Sequence, residues 1–249
     1  MLLLYLKSYP VKYRHIFFDL DRTLWDYETN ANNTLEEIYH DFQLDRFFGD
    51  PAVFLKTYHR HNNQLWQEYR EGKTSKEVLR NERFERVLRE KECMSETLAT
   101  DLGTQYLERA PSMTALFPGT VHTMEYLREK GYNLYILTNG FLKTQQHKLK
   151  NSRIDHYFLR IFSSDELGVN KPSAGIFHWA VTSINARKKD CLMMGTICMW
   201  MWPAPCGTGS TRSGSTRTGI KDHTPLPGRF TQWKNSGTGS ERYSGSGKE

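Results

Sequence analysis

Two aspartates stand one residue apart at the end of an apolar run, in the stretch HIFFDLDRTLWD at residues 15–26. Side chains alternate along a strand, so Asp19 and Asp21 lie on one side and Leu20 on the other. Two carboxylates this close repel each other unless a cation lies between them or one keeps its proton. The pair can supply a nucleophile and a proton carrier, and Mg²⁺ would suit its oxygens. Taken alone, DxDxT is equally compatible with a solvated strand end.

Two later stretches carry further groups of this kind. Thr138, Asn139 and Gly140 follow an apolar run and precede a helical pattern, where hydroxyl and backbone N–H groups can bind an anion. Lys171 stands before Pro172, in extended backbone that opens another helix. Its cation would balance a phosphate and an aspartate nucleophile. Each stretch by itself also fits an ordinary turn or a surface lysine.

Short apolar runs and helical patterns alternate in the parts of the chain that hold these groups. The predicted strands are Ile16–Leu20, Asn133–Leu137, Arg160–Ser164 and Cys191–Gly195. The predicted helices between them are Gly119–Lys130 with Gly131 as its C-cap, Leu142–Asn151 and Ser173–Ala186. This alternation predicts an α/β fold with a parallel sheet, in which ligands bind at the carboxyl ends of the strands.

Residues 28–108 have helical periodicity throughout. The predicted helices are Thr34–Phe42, Pro51–Arg70, Ser75–Glu90 and Glu96–Ala110. A capping box from Thr74 to Glu77 is expected to open the third of them. We therefore expect a core made of residues 13–26 and 110–205, an all-helical unit at 27–109 inserted after the first strand, and a tail at 206–249.

Composition excludes several classes of protein. The 249 residues are 38% hydrophobic and 25% charged, which is typical of a globular chain, and no apolar run approaches the length of a membrane span. Of the net charge of +6, residues 196–249 contribute +4, from seven Lys/Arg and three Asp/Glu, so the rest has no basic stripe for nucleic acid. The four cysteines lack ligand or disulfide spacing, which favours the reducing cytoplasm.

The order of DxDxT, then TN after a second strand, then KP opening a later helix resembles the haloacid dehalogenase-like (HAD) hydrolase superfamily. An insertion after the first strand is where that superfamily has its helical C1 cap. The stretches LWQEYREGKT (65–74), TNGF (138–141) with Gln145-Gln146, and SDELGVNKP (164–172) are similar to the pyrimidine 5′-nucleotidase branch. The resemblance covers roughly residues 14–195, and it implies a Rossmann-like core with a helical cap.

The resemblance also implies a mechanism. Asp19 would be the nucleophile that forms an aspartyl-phosphate, and Asp21 would protonate the leaving oxygen and then activate water. The Asp19 carboxylate and the Asp21 carbonyl would bind Mg²⁺. Thr138 and Asn139 would bind phosphoryl oxygens, and Lys171 would balance charge. The haloalkanoate dehalogenases of this superfamily lack the second acid, so Asp21 favours phosphate ester hydrolysis over cleavage of a carbon–halogen bond.

One expected motif is missing. The superfamily follows its fourth strand with GD-x4-D, whose acids hold Mg²⁺, but here Thr196 and Met201 stand at the two acidic positions. The genetic code suggests a lost base near the Gly195 codon. Restoring it forces Val-Asp-Val-Ala at 200–203, because Met and Trp have one codon each, and so returns the second acid at position 201. The Gly/Ser/Thr-rich tail at 206–249 is then either out-of-frame translation or a disordered segment.

These observations predict a Mg²⁺-dependent, cytoplasmic phosphatase that acts on nucleoside 5′-monophosphates, weakened in this chain by the missing acids. Its partner would be a small phosphate ester, with no nucleic acid and no membrane involved. The alternatives are another HAD small-molecule phosphatase and a non-catalytic HAD-like product of a frameshifted or inactive gene.

Overall fold

The computed structural model describes residues 13–195, and all structural statements below refer to that range. Four strands form one sheet in the order β3-β2-β1-β4. Their bounds are His15–Phe18 (β1), Asn133–Thr138 (β2), Arg160–Ser163 (β3) and Cys191–Met194 (β4). All three ladders are parallel, so the four carboxyl ends meet at one edge. The predicted α/β fold is confirmed.

Helices fill the long connection between β1 and β2. In order they are α1 (Tyr27–Asp41), α2 (Asp45–Phe48), α3 (Pro51–Arg70), α4 (Lys76–Glu90) and α5 (Glu96–Arg109). No strand is assigned within 27–109 among the described residues. The segment has a hydrophobic core of its own, built around Leu35, Phe54, Phe84 and Leu102, which are all fully buried. We propose that this segment is the cap that the sequence predicts.

The first helix is longer than predicted. It begins at Tyr27, seven residues before Thr34, because the Asp26 carboxylate caps it by accepting from the Thr29 amide at 3.1 Å. Asparagine, which recurs in the first turns of this helix, has a low intrinsic helix propensity. Asn30 is nevertheless buried, and its side chain bonds the backbone of Ala115 in both directions, at 2.8 and 2.9 Å. Tertiary contacts therefore override local propensity here.

The cap of α4 is also one residue away from its predicted position. Ser75 is the N-cap, and its hydroxyl accepts from the Val78 amide at 3.3 Å, so the predicted capping box starting at Thr74 is wrong. A capping box does open a later helix, Ser164–Leu167, where the side chains of Ser163 and Glu166 each bond the other residue's backbone.

Helices cover both faces of the sheet. They are α6 (Thr120–Glu129), α7 (Leu142–Asn151), α8 (Ser164–Leu167) and α9 (Ala174–Ser183), with 3₁₀ turns at Ala110–Ser112, Asp155–Tyr157 and Lys188–Asp190. Because strand side chains alternate, Ile16 and Phe18 pack with Met124 of α6, while Phe17 packs with Ile176 of α9 on the opposite face. The sheet is thus the middle layer of three, with helices packed on both of its faces.

The helical segment meets the sheet at the loop after β2. Phe141 packs in a small cluster with Leu65 and Leu79, and its ring stacks on Trp66 with centroids 5.8 Å apart. The Lys76 ammonium lies 4.5 Å from the centroid of the same ring. These contacts hold α3 and α4 directly above the carboxyl edge of the sheet.

A search of the described helices finds none that is long and apolar enough to cross a membrane.

Candidate active site

The two aspartates lie in a tight loop directly after β1. The Leu20 carbonyl accepts from the amides of Thr23, Leu24 and Trp25 at 2.9 to 3.2 Å, which closes one turn of chain. Arg22 has φ = 62°, so the backbone reverses immediately after Asp21. The Asp19 amide also donates to Met194 of β4 at 2.9 Å. The loop is thus tied both to itself and to the neighbouring strand.

Lys171 lies in the chain after β3 and reaches the first aspartate across the end of β2. Its Nζ lies 2.9 Å from Asp19 Oδ1 and donates to the Leu137 carbonyl at 2.8 Å. The Leu20 amide donates to the same carboxylate oxygen at 2.9 Å. Lys171 is 3% exposed, so its charge is removed from water and directed at Asp19. The structure therefore brings this sequence-predicted pair together.

Asn139 fixes the loop that carries this lysine. Its Oδ1 accepts from the Lys171 amide at 2.7 Å, and its Nδ2 donates to the Lys171 carbonyl at 3.0 Å. Both polar atoms of the side chain are therefore engaged with the backbone of one residue. We propose that Asn139 acts on phosphate indirectly, by positioning Lys171.

Thr138 faces the second aspartate through a shared partner. The Gln145 side-chain amide donates both to Thr138 Oγ1 and to Asp21 Oδ2, at 2.8 Å each. Thr138 Oγ1 also accepts from the Gly140 amide at 3.0 Å, which shapes the turn between β2 and α7. All five predicted groups line one cavity: Asp19, Asp21, Thr138, Asn139 and Lys171.

Sequence reasoning missed Lys148, the cation nearest to Asp21. Its Nζ lies 2.5 Å from Asp21 Oδ1 and 4.1 Å from the centroid of the Trp25 ring. Gln145 and Lys148 are three residues apart on α7, so they share one face of the helix, and both are buried. The available signal was a polar pair at helical spacing, on the face that also presents Leu149 to the core.

The charge of Asp21 is set by two opposing influences. Burial raises the pKa of this carboxyl, but the Lys148 ammonium and the hydrogen bond from Gln145 oppose it, and together they hold the pKa below its ordinary value of 3.8. Asp21 is therefore ionised at neutral pH in the ligand-free site. For a role as proton donor, Asp21 must first take up a proton, either from solvent or from a phosphate ester that enters as its monoanion.

The donor set fits a hydrated Mg²⁺ ion. The Asp19 carboxylate and the Asp21 carbonyl would be its ligands, and Mg²⁺ commonly takes one or two carboxylates and keeps several waters. Among residues 13–195, no three Asp, Glu, His or Cys side chains converge. Thr196 and Met201, which stand in the expected acidic motif, lie outside the described residues. Bound there, the ion would neutralise phosphoryl charge and orient the ester.

A cavity of about 640 Å³ connects the aspartates to the helical segment above. Its floor is the sheet edge, with Asp19, Asp21 and Lys171. Its upper wall belongs to α3 and α4, with residues such as Asn62 and Arg83. A phosphate at the floor would thus leave the rest of an ester facing the helices.

Sequence comparison finds relatives of this chain among the phosphatases. The chain is 27% identical over 189 residues to pyrimidine 5′-nucleotidase YjjG of Escherichia coli, covering 74% of this chain and 78% of that protein. It is 28% identical to pyrimidine 5′-nucleotidase PynA of Streptococcus pneumoniae, covering 73% and 74%. A glyceraldehyde 3-phosphate phosphatase of Methanothermobacter thermautotrophicus matches at 35% identity, over 32% of this chain and 35% of that protein.

Solved structures show the same fold. The magnesium-bound putative HAD-hydrolase YfnB of Bacillus subtilis superposes with a TM-score of 0.68 at 25% identity, covering 75% of this chain and 81% of that one. The L-2-haloacid dehalogenase Rha0230 superposes with a TM-score of 0.61 at 18% identity, covering 75% and 76%. The latter similarity concerns the fold alone.

The family model of haloacid dehalogenase-like hydrolases matches residues 13–195, from the start of β1 to the end of β4. That range contains the paired aspartates, the TN turn and the buried lysine, which the fold gathers at one edge of a parallel sheet. The chain therefore belongs to the haloacid dehalogenase-like hydrolase family.

Proposed function

We propose that this chain has the catalytic groups of a cytoplasmic phosphatase for nucleoside 5′-monophosphates, of the pyrimidine type. The observation that carries the proposal is the convergence of Asp19, Asp21 and Lys171 on one cavity floor. Asp21 is the second acid, which hydrolysis of a phosphate ester needs for proton transfer. Two relatives that match over most of their length, YjjG and PynA, are pyrimidine 5′-nucleotidases by name. The nucleoside would occupy the cavity between the sheet and the helices.

The first step would be attack of Asp19 on phosphorus. Oδ1 is held by Lys171 and by the Leu20 amide, so we assign the attack to Oδ2. The bond between phosphorus and the 5′ oxygen breaks, and the leaving oxygen takes a proton from Asp21. Lys171 and the hydrated Mg²⁺ would offset the phosphoryl charge, since such transfer depends mainly on positioning and electrostatics.

The second step would regenerate the enzyme. Asp21, now ionised, accepts a proton from water, and the water oxygen attacks phosphorus as the bond to Asp19 breaks. Asp21 then passes this proton to the departing phosphate, so that Asp21 is again ionised and Asp19 is again free to attack. Lys148 and Gln145 hold Asp21 in place throughout and favour the ionised form that this step needs.

Replacement of the two aspartates tests the assignment. Asp19→Asn is expected to abolish Mg²⁺-dependent phosphate release, because an amide is a poor nucleophile, and Asp21→Asn should reduce it by about 10²- to 10⁴-fold by removing the proton carrier. Phosphate release from UMP and from an aryl phosphate is the measurement. Asp45→Asn, at an exposed position of α2, is the matched control and should keep full activity. Wild-type turnover in either active-site variant would refute the assigned roles.

A further inference from the structure

The upper wall of the cavity contains polar groups that the reaction itself does not use. Asn62 and Arg83 are 1% and 5% exposed, and both line the cavity. Asn62 Nδ2 donates to the Tyr27 hydroxyl at 2.9 Å, and Arg83 Nη1 donates to the Tyr58 hydroxyl at 3.3 Å. Asn62 Oδ1 and Arg83 Nε have no hydrogen-bond partner among the described residues. An acceptor and a donor are thus unsatisfied on two residues that line the cavity.

Leaving these atoms open is unfavourable for folding. A buried polar atom without a partner destabilises the folded protein, and a charged one destabilises it more. No ion pair within residues 13–195 includes Arg83. Its neighbours include the Tyr58 hydroxyl, at 3.3 Å, and the Tyr106 ring, whose centroid lies 5.3 Å from the guanidinium carbon. A buried guanidinium without a carboxylate and an unused amide oxygen, on two residues that line one cavity, are typical of a site completed by a ligand.

The two atoms together select the chemistry of that ligand. Arg83 Nε requires an acceptor, whereas Asn62 Oδ1 requires a donor because Nδ2 is already bonded to Tyr27. A carboxylate or second phosphate would satisfy Arg83 but offers no donor to Asn62. A heterocycle with a carbonyl next to a ring N–H satisfies both. Trp66 also lines the cavity and provides an aromatic surface for such a ring.

We propose that Arg83 and Asn62 are the specificity-determining pair of this enzyme and bind the carbonyl and the ring N–H of a uracil- or thymine-type pyrimidine base. The inference rests on the proposed function, since it assumes that the phosphate lies on Asp19 at the cavity floor. Arg83 donates to the ring carbonyl, and Asn62 accepts from the ring N–H. Neither residue takes part in the transfer of the phosphoryl group.

Binding to the full chain carrying Asp19→Asn tests this pair without turnover. Calorimetry would compare UMP with ribose 5-phosphate, which lacks the base. Arg83→Met and Asn62→Leu should each weaken UMP binding by about 10- to 100-fold, the effect of losing a buried hydrogen bond, and leave ribose 5-phosphate binding within about twofold. Arg86→Met is the matched control, because Arg86 lies one turn away on α4 and is paired with Glu68 and Glu82. It should leave both affinities unchanged.

A melting curve separates binding from folding. Arg83→Met removes a buried charge that has no counterion, so its melting temperature should equal or exceed that of the parent protein. A merely structural arginine would show the opposite result, with a lower melting temperature and weaker binding of both ligands, and that result would overturn the proposal. Should Arg83→Met fail to fold, Arg83→Lys decides: the proposal requires weaker UMP binding with unchanged ribose 5-phosphate binding.

Failure of the inference is distinguishable from failure of the proposed function. If the unsubstituted chain releases phosphate from UMP but its Asp19→Asn form binds UMP no more tightly than ribose 5-phosphate, the pair is not a base site. If no phosphate is released, yet UMP binds more tightly and loses that advantage in both variants, the base site stands and the phosphatase assignment fails.

Discussion

Asp21 is held by side chains from a helix that lies more than 120 residues away in the chain. Lys148 and Gln145 bond its two oxygens separately, one each. The carboxylate therefore cannot rotate freely, and its charge depends on a neighbour that plays no direct part in the transfer. Because the same pair lowers the pKa of Asp21, the contribution of this carboxylate to the stability of the protein depends on pH.

Lys148→Met should raise the pKa of Asp21, because burial would then act without the main opposing cation. In the parent protein the folded pKa lies below the unfolded one, so the stabilisation is present above pH 3.8 and is lost as the pH falls below it. The variant should lose less stability on acidification. Urea unfolding from pH 3 to 6, with EDTA to remove metal, measures this slope.

Lys143→Met, at an exposed position of the same helix, is the control for that measurement and should keep the parent slope. An unchanged slope in Lys148→Met would show that Lys148 does not set the charge of Asp21.

The turn between β2 and α7 positions those side chains, and it depends on the absence of a side chain at Gly140. A Cβ added there would lie 2.0 Å from Gln145 Nε2, the atom that bonds both Asp21 and Thr138. Because Gln145 is flexible, it would turn away rather than disrupt the helix. The hydrogen bonds at the second aspartate would then be lost while the fold remained.

Gly140→Ala should therefore reduce phosphate release by about 10²-fold, as expected for a small displacement of a catalytic group, with a melting temperature near that of the parent. Gly103→Ala is the matched control, since a Cβ there would lie 3.9 Å from Phe84, an ordinary contact. That change in α5 should preserve activity and stabilise the protein by about 0.5 to 1 kcal/mol. Equal activity in the two variants would contradict the role of the Gln145 contacts.

Most strands and helices are predictable from the local sequence pattern, and each difference between prediction and structure has a physical cause. All four strands were predicted within one or two residues, because buried parallel strands are apolar runs ending in polar groups. The start of α1 was missed because Asn30 is stabilised by Ala115, a contact that no local rule contains. The short helices α2 and α8 have too few residues for a period to appear.

The candidate site was predictable where a motif carries it and not where the fold creates it. Asp19, Asp21, Thr138, Asn139 and Lys171 belong to recognisable stretches, and the structure gathers them at one edge. Lys148, Gln145, Asn62 and Arg83 gain importance from burial and from partners far away in sequence. Polarity at a helical position normally indicates solvent, so the helix face that Gln145 and Lys148 share with Leu149 is a weak signal, and Asn62 and Arg83 have no local signal.

At the scale of the whole molecule, β4 is an edge strand of the sheet that the described residues form. Within residues 13–195 this strand pairs with β1 and with no other strand, and Gly195 lies close enough to Asp19 that a Cβ on it would be 3.1 Å from the aspartate Cβ. The end of β4 is thus adjacent to the proposed nucleophile. An acidic residue at position 196, as the family motif implies, would follow directly in the chain.

Restoring one base near codon 195 should therefore produce a better enzyme and a more stable protein. The restored chain regains Asp at 201, and at 196 when the preceding base is G, and it replaces a sequence poor in apolar residues. The two proteins would be expressed side by side and compared by Mg²⁺-dependent phosphate release from UMP and by melting temperature. Equal rates and equal melting temperatures would show that the sequence from Thr196 onward is functional as it stands.

The parallel order of the strands also governs when the protein acquires its chemistry. Asp19 and Lys171 lie 152 residues apart in the chain, and their 2.9 Å contact exists once the two crossovers that join β1, β2 and β3 have closed. Such long-range pairing forms slowly compared with helices. During synthesis, a nascent chain that has not yet emerged as far as Lys171 holds a nucleophile without its counterion. In a refolding experiment, the spectroscopic signal of the helices should return first. Binding of phosphate esters should return later, when β1, β2 and β3 have paired.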